Sequence, residues 1–521
     1  MTSERLGRAS DSMLVRDDIR KLFQHSSHYL GGLLCSMALG FVSFPVLTRL
    51  FSVSEYGLID LVQRTVLLAT ALAKMGLQNA ALRFYDAPVF SSDRKAAEEY
   101  YSTMCFGTAL TAAAATLTFV IVVAMLPNGV IATPFKLLLY LASPLIFLRG
   151  LESILWAFVR IQERTRAYNV SSVILRAGAL AGIFMVLFWI ERSIRGFFAG
   201  MLVAEALVVA VLLALLFKTG LLHVTRFHVT LLRSAFVFGF PLIVYELASI
   251  VLDSGDRLLV RYFLGSQALG YYSVAYNISG YIQDLILAPL NLALLPIYMN
   301  LWRNDGPERT IMFLNNGLGL FLMVAAGLFA IIAVTSRDVV IVLASLKYQP
   351  AASLIPVLVC GLLIYATHVF LCAGLIVHSR TLILAKSVFY AAVLNVVMNC
   401  VLLPRIGLQG AAIATLVSYT FCLCLMSSES SRLLPLKIGV SALSRYVAAS
   451  AVTVLVVSQL AFGKPLLNLL GRGFSALVLY GGILCLTDSR PRELMATLWH
   501  KRLPRVREKI YGEIGAGAAR D

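Results

Sequence analysis

The chain has 521 residues, of which 59% are hydrophobic and 14% charged, with a mean hydropathy of +0.83 and a net charge of +17. Soluble domains carry nearer a quarter charged residues, so too little polar surface remains here to keep a fold in solution. The apolar runs are continuous, not alternating (residues 104–126 contain no charge), which excludes a membrane β-barrel as well.

A run of that length, at about 1.5 Å per residue, crosses a hydrocarbon core of about 30 Å. Inside lipid every backbone N–H and C=O must be satisfied within its own segment, so the runs read as helices and the fold as an all-α membrane protein. In chain order, a mostly polar segment over 1–27 lacks the pattern of a cleavable signal peptide. Fourteen spans follow, at 28–50, 58–83, 100–126, 135–158, 169–190, 196–218, 233–255, 268–297, 311–335, 351–378, 382–403, 408–428, 440–462 and 466–487. The division this predicts is a six-helix bundle over 28–218, an inter-lobe loop over 219–232, a second six-helix bundle over 233–428, a terminal pair over 440–487 and a basic tail over 488–521. In that tail Leu494, Met495, Leu498, Trp499 and Leu503 alternate with charges, the pattern of a helix lying on the membrane surface.

The basic residues cluster on one side of this map. Arg5, Arg8, Arg16, Arg20 and Lys21 fall together, as do Arg160, Arg164 and Arg166, then Lys218, Arg226 and Arg233, and a final group from Arg490 to Lys509. With both termini in the cytoplasm, about 28 Lys and Arg lie inside, about 11 outside and about 5 within spans, which is positive-inside bias. That bias accounts for most of the +17 without nucleic acid. The eight cysteines lie in or beside apolar runs, without metal-ligand spacing, and read as structural thiols; no metal site is expected.

The two halves resemble each other. Leu47-Thr-Arg-Leu-Phe51 before Ser54-Glu-Tyr-Gly57 is echoed about 212 residues on by Leu259-Val-Arg-Tyr-Phe263 before Ser266 and Gly270, and Ile194-Arg-Gly196 by Leu408-Gln-Gly410. An offset of six spans keeps both halves in one orientation, so the repeat is parallel, with a central cavity between the bundles.

Several motifs carry a family resemblance: His25-Ser-Ser-His-Tyr29, Phe44-Pro-Val-Leu-Thr-Arg-Leu-Phe51 with Glu55-Tyr-Gly57, Phe238-Gly-Phe-Pro-Leu242 with Asp256-Arg257, Tyr271-Tyr-Ser-Val-Ala-Tyr276 and Gly407-Leu-Gln-Gly-Ala-Ala412. Over about residues 20 to 440 the chain resembles the polysaccharide flippases of the multidrug/oligosaccharidyl-lipid/polysaccharide exporter superfamily. The resemblance implies transfer of undecaprenyl-pyrophosphate-linked sugar units from the cytoplasmic to the periplasmic leaflet of a bacterial inner membrane. It implies as partners a lipid-linked anionic oligosaccharide, membrane lipids, and a polysaccharide polymerase with its chain-length machinery.

Ionisable residues inside spans are costly, so they are expected to face a cavity or a partner. They concentrate in the second, seventh and eighth spans. A pyrophosphate calls for Arg forks and Lys point charges, which makes Arg64, Lys74, Arg257 and Arg261, and at span ends Arg49 and Arg83, the candidate cationic cavity. Gln78, Asn79, Asn277 and Gln283 are the candidate sugar contacts. The bland alternative is local pairing at helical spacing: Asp60 with Arg64, Asp253 with Arg257, Arg149 with Glu152, or Arg176 with Glu205 across helices. The sequence has no P-loop, so no cofactor is expected, and coupling to Na+ or H+ is the default, with Glu246, Asp253, Asp256 and Asp284 as candidate carboxylates. A drug or cation antiporter and a peptidoglycan-precursor flippase are rivals in the same superfamily. An enzyme, such as a membrane glycosyltransferase or polymerase, lacks a loop large enough to hold its site.

Overall fold

A computed structural model of the chain describes residue 35 and residues 37–127, 133–161, 165–437 and 439–488. The expectations for residues 1–27, for the motif at His25 and for the tail beyond 488 lie outside these. Among the described residues the structure is helical. It opens with α1 (Met37–Leu50). Then come α2 (Val53–Lys74), α3 (Leu77–Phe84), α4 (Ala87–Ser92), α5 (Arg94–Met125), α6 (Thr133–Ala142), α7 (Pro144–Ile161), α8 (Thr165–Trp189) and α9 (Ile194–Phe217). After a short 3-10 turn come α10 (Val229–Ser254), α11 (Asp256–Asn304) and α12 (Gly306–Leu343). A 3-10 helix (Leu346–Ser353) leads into α13 (Ile355–Ala366), α14 (His368–Leu371), α15 (Ala373–Val377), α16 (Thr381–Ile406), α17 (Leu408–Ser431), α18 (Val440–Val457) and α19 (Pro465–Thr487). Eleven helical stretches among the described residues are long and apolar enough to cross a membrane, or twelve with the bent pair around Leu354.

Local chemistry sets the ends of the helices that matter for the site. Ser52 and Glu55 form a reciprocal capping box that starts α2, with the Ser52 N–H donating to Glu55 Oε2 at 2.8 Å. α2 stops where Met75 (φ 47°) and Gly76 (φ 70°) both turn left-handed. α3 then resumes the same span, so the second span is two helices with a break inside the membrane.

The seventh span departs from its predicted end at 255. Gly255 keeps helical angles (φ −66°, ψ −27°) and its N–H bonds the Val251 carbonyl at 2.8 Å, so the helix continues through it. The true break is Gly265, with φ 84° and ψ −177°. Tyr276 donates to Asp253 at 2.9 Å and Tyr272 donates to Asp256, so positions before and after Gly265 pair in antiparallel order. Residues 229–264 and 266–304 therefore form one helical hairpin. Hydropathy closed the span too early because Asp253, Asp256, Arg257 and Arg261 crowd its last turns. The predicted fourth span is likewise two helices, because Pro144 has no N–H to carry α6 into α7.

α2 packs on α5 and α7 on one side and on α11 and α10 on the other; α3 also packs on α10. Beyond this seam, α8 lies on α9 and α9 on α7, while α13, α16 and α17 pack around α10 and α11. The last pair, α18 and α19, packs on α12, away from the seam.

Candidate functional site

The seam between α2 and the Gly265 hairpin holds the membrane-buried charges. Near the hairpin tip, Arg257 is 0% exposed. Its Nε donates to Asp60 Oδ2 at 2.8 Å, its Nη1 to the Asp253 carbonyl at 2.9 Å, and Asp256 Oδ1 lies 3.4 Å away. Among the described residues its Nη2 has no hydrogen-bond partner, but the guanidinium stands 4.2 Å from the centroid of the Tyr276 ring. A cation–π contact in a dry site offsets part of that loss. Asp256 is also fully buried and accepts from Tyr272, with the Thr415 hydroxyl at 3.4 Å.

The expected Asp253–Arg257 side-chain pair does not form. Arg257 reaches only the backbone of Asp253, because Asp60 on α2 offers a closer carboxylate. The Asp253 carboxylate turns the other way. It takes bonds from Tyr276 at 2.9 Å, Ser254 at 3.0 Å and Tyr419 of α17 at 3.4 Å, and it lies 3.6 Å from Arg64. Its side chain is 43% exposed. Arg64 does pair with Asp60, at 3.5 Å, and also approaches Ser254 and Asn277 at 3.4 Å each. Asn277 in turn donates to the Tyr56 hydroxyl at 3.0 Å, which ties α11 back to α2.

Toward the other end of the seam, Lys74 in the last turn of α2 bonds Glu246 of α10, and Gln78 donates to the second Glu246 oxygen at 3.4 Å. Beside this pair opens a cavity of about 780 Å³, walled by Gln78 and Asn79 of α3 and by Tyr245, Glu246, Ser249 and Asp253 of α10. The cations Lys74 and Arg64 are thus each held by a carboxylate of the cavity wall. At the narrow point, Gly76 and Gly239 pass in backbone contact: a Cβ on Gly76 would stand 2.6 Å from the Gly239 carbonyl oxygen.

The remaining candidates fall elsewhere. Arg49 donates to the Val342 and Leu343 carbonyls at 2.8 and 3.0 Å, capping the end of α12. Arg261 bonds Ser266 across the hairpin tip and lies 4.5 Å over the Phe135 ring of α6. In this conformation Arg49 and Arg261 bond protein groups away from the cavity, and Arg257 is held by Asp60 and by the backbone of Asp253. Arg83 is exposed in the last turn of α3. Gln283 and Asp284 lie further along α11 and make no hydrogen bond among the described residues. Arg149 does not pair with Glu152, nor Arg176 with Glu205. Arg149 forks onto Glu205 of α9 at 2.8 Å, and Glu152 accepts from Trp156 at 2.9 Å. A carboxylate on a facing helix meets the planar guanidinium better than one a turn along its own helix.

The sequence assigns no site role to several residues found here: Tyr56, Tyr272 and Tyr276, which stand there only within motifs, and Thr415, Tyr419 and Lys347. Tyr272 and Tyr276 sit four apart on one helix face opposite acidic positions, a spacing that could have singled them out. Lys347 donates to the Phe51 carbonyl at 2.6 Å, across 296 residues, and no local pattern announces it. Among the described residues no three His, Cys, Asp or Glu side chains are grouped to hold a metal ion.

A family model described as polysaccharide biosynthesis protein matches residues 22–302, more than half of the chain. The chain belongs to that family. An uncharacterized membrane protein of Methanocaldococcus jannaschii, MJ1068, is 25% identical over 190 residues, covering 36% of this chain and 37% of that relative's own length. Among solved structures, the lipid II flippase MurJ in an inward closed conformation matches with a TM-score of 0.68 at 14% identity, covering 91% of this chain and all of that one. A multidrug resistance MATE transporter in an inward-facing conformation matches at 0.56 and 11% identity, covering 78% and 99% of the two chains. Likeness at that identity is likeness of fold. The family resemblance read from the motifs thus holds, and the fold of this multi-pass membrane protein is one used by membrane transporters.

Proposed function

We propose that the chain is a flippase moving undecaprenyl-pyrophosphate-linked oligosaccharide units from the cytoplasmic to the periplasmic leaflet of a bacterial inner membrane. The observation that carries this reading is the pairing of Lys74 with Glu246 and of Arg64 with Asp253, at a cavity of about 780 Å³. A pyrophosphate entering the cavity competes with Glu246 and Asp253 for the two cations. Arg64 then takes phosphate oxygens as a fork and Lys74 as a point charge, while Gln78 and Asn79 meet the sugars. The displaced carboxylates are the groups that would take up H+ or Na+, and an inward gradient drives outward transfer only when ion and substrate occupy the site alternately. Asp253 suits that role better than Asp256, which is buried and bonded to Arg257, Tyr272 and Thr415, and better than Asp284, which lies within electrostatic reach of Asp253 and Arg64 but forms no ion pair with Arg64.

In this reading residues 28–218 and 233–428 are two six-span lobes, meeting where α2 and α3 face α10 and α11. Splitting the hairpin at Gly265, joining α6 with α7 and the 3-10 helix with α13–α15, and counting α1 gives fourteen spans. The basic bias then puts both termini in the cytoplasm. The Asp60–Arg257, Arg49–α12 and Lys347–Phe51 contacts close the periplasmic end, and they part when the lobes rock to face outward. A polymerase and its chain-length machinery would take the product.

The test is export of surface polysaccharide in cells that carry the chain as their only flippase for that polymer. Arg64→Ala and Lys74→Ala each abolish export at normal protein levels, and dissipating the proton and sodium gradients together stops it. Full export by both variants would overturn the clamp, and unchanged export without gradients would overturn coupling. Expulsion of a cationic dye in place of the lipid-linked sugar would make the chain an antiporter.

A further inference from the structure

A second cavity lies on the outer side of α7, α8 and α9 and shares no residue with the polar one. It encloses about 430 Å³, with Trp156 and Val159 of α7, Ser171 and Ile174 of α8, and Leu215 of α9 with Thr219 just beyond it among its walls. These positions belong to the last turns of α7, the first turns of α8 and the last turns of α9, so the cleft sits at one end of the three helices. α8 lies closely on α9 but scarcely touches α7, which leaves a wedge between them. Ile174 and Leu215 are 63% and 55% exposed along it, so the wedge opens to the surroundings of the molecule, which at this hydropathy are lipid.

Two basic residues adjoin the lining in sequence. Arg160 follows Val159 and Lys218 precedes Thr219, and both side chains are exposed. Neither has an ion-pair partner among the described residues. An apolar slot flanked by two exposed cations, neither ion-paired among the described residues, is complementary to an amphiphile with an acyl chain and an anionic head. The wedge accepts the chain, and Arg160 and Lys218 take the phosphate as fork and point charge.

We infer that this cleft binds an anionic glycerophospholipid from the surrounding bilayer, with one acyl chain between α7 and α8 and its phosphate between Arg160 and Lys218. The lipid fills the gap that α8 leaves against α7 and braces those helices together. The site is independent of the transported substrate.

The experiment uses the full chain purified in mild detergent, with phosphatidylglycerol and phosphatidylethanolamine of the same chain length as probes, read by native mass spectrometry and by thermal unfolding. Wild type retains a phosphatidylglycerol adduct, at least about fivefold over phosphatidylethanolamine, and gains thermal stability from it. Arg160→Ala with Lys218→Ala loses both the adduct and the gain. Arg160→Lys with Lys218→Arg keeps them, which separates lost charge from lost folding. Ile174→Trp, which fills the wedge and spares the charges, also loses the adduct. Equal retention of the two lipids, an adduct undiminished in the double alanine variant, or displacement of phosphatidylglycerol by equimolar undecaprenyl phosphate would each overturn the assignment.

Discussion

Gly57 of α2 and Gly270 of α11 meet backbone to backbone: a Cβ on Gly57 would stand 2.6 Å from the Gly270 amide nitrogen, and one on Gly270 would stand 2.0 Å from the Val53 carbonyl oxygen. This contact lies one turn from Asp60, at the end of the seam where Tyr56 also packs edge-on against Tyr348. Close approach of the two helices is what lets Asp60 reach Arg257. Gly270→Val is therefore predicted to hold this end apart, at a cost of about 1–3 kcal/mol to the closed form. Labelling of a single cysteine placed at Tyr56 would report it, rising several-fold in the variant.

The buried pair of Asp60 and Arg257 makes a separate prediction about stability. Removing one partner leaves an uncompensated charge in a dry site, which costs about 3–5 kcal/mol. Asp60→Asn and Arg257→Met are each expected to lower the unfolding temperature markedly. The double variant is expected to lose less than the sum of both single effects, because Asp60 and Arg257 no longer orphan each other, although Asp256 still loses its cation. A double variant that loses the sum of both single effects would show that the pair is not coupled.

Glu246 gives a prediction with an unusual sign. Under the proposed clamp it competes with the substrate for Lys74, so Glu246→Gln is expected to tighten binding of a soluble pyrophosphate-sugar by roughly fivefold, about 1 kcal/mol. Lys74→Ala is expected to weaken the same binding. Titration calorimetry on the two variants distinguishes competition from a purely structural ion pair, for which both changes would weaken binding.

Arg49 tests how far sequence-based site assignment can be carried. Its fork closes on the Val342 and Leu343 carbonyls, so Arg49→Ala is expected to loosen the end of α12 and leave pyrophosphate-sugar binding unchanged. Arg64→Ala is expected to do the reverse. Paired measurements of unfolding temperature and affinity separate the two.

What the sequence revealed and what it hid follow from the range of the interactions. Membrane helices were legible because apolar length is a local property, and Asp60–Arg64 was legible because both residues share one helix face. The repeat of Leu47–Phe51 in Leu259–Phe263 marks two equivalent turns, and the second does lead into the break at Gly265, although hydropathy closes the seventh span ten residues before it. Hydropathy weighs Asp256 and Arg257 as solvent-exposed, whereas Asp60, Tyr272 and Thr415 satisfy them inside the fold. Partners from distant segments could not be read at all. Arg149 chose Glu205 over the nearer Glu152, and Lys347 found the Phe51 carbonyl across almost 300 residues. The concentration of charge in a few helices was visible; the division between cavity wall and sealed seam needed the packing.

The proposed flippase moves a pyrophosphate-linked sugar lipid between leaflets, using Lys74 and Arg64. The most direct measurement is leaflet transfer of a fluorescent undecaprenyl-pyrophosphate oligosaccharide in vesicles containing only the purified chain, read by quenching from outside. Such a flippase gives transfer that needs an imposed proton or sodium gradient, leaves the glycosidic and pyrophosphate bonds intact, and is lost in the Lys74→Ala, Arg64→Ala double variant. Equal transfer by the double variant and wild type, or no transfer above protein-free vesicles under either gradient, would contradict it.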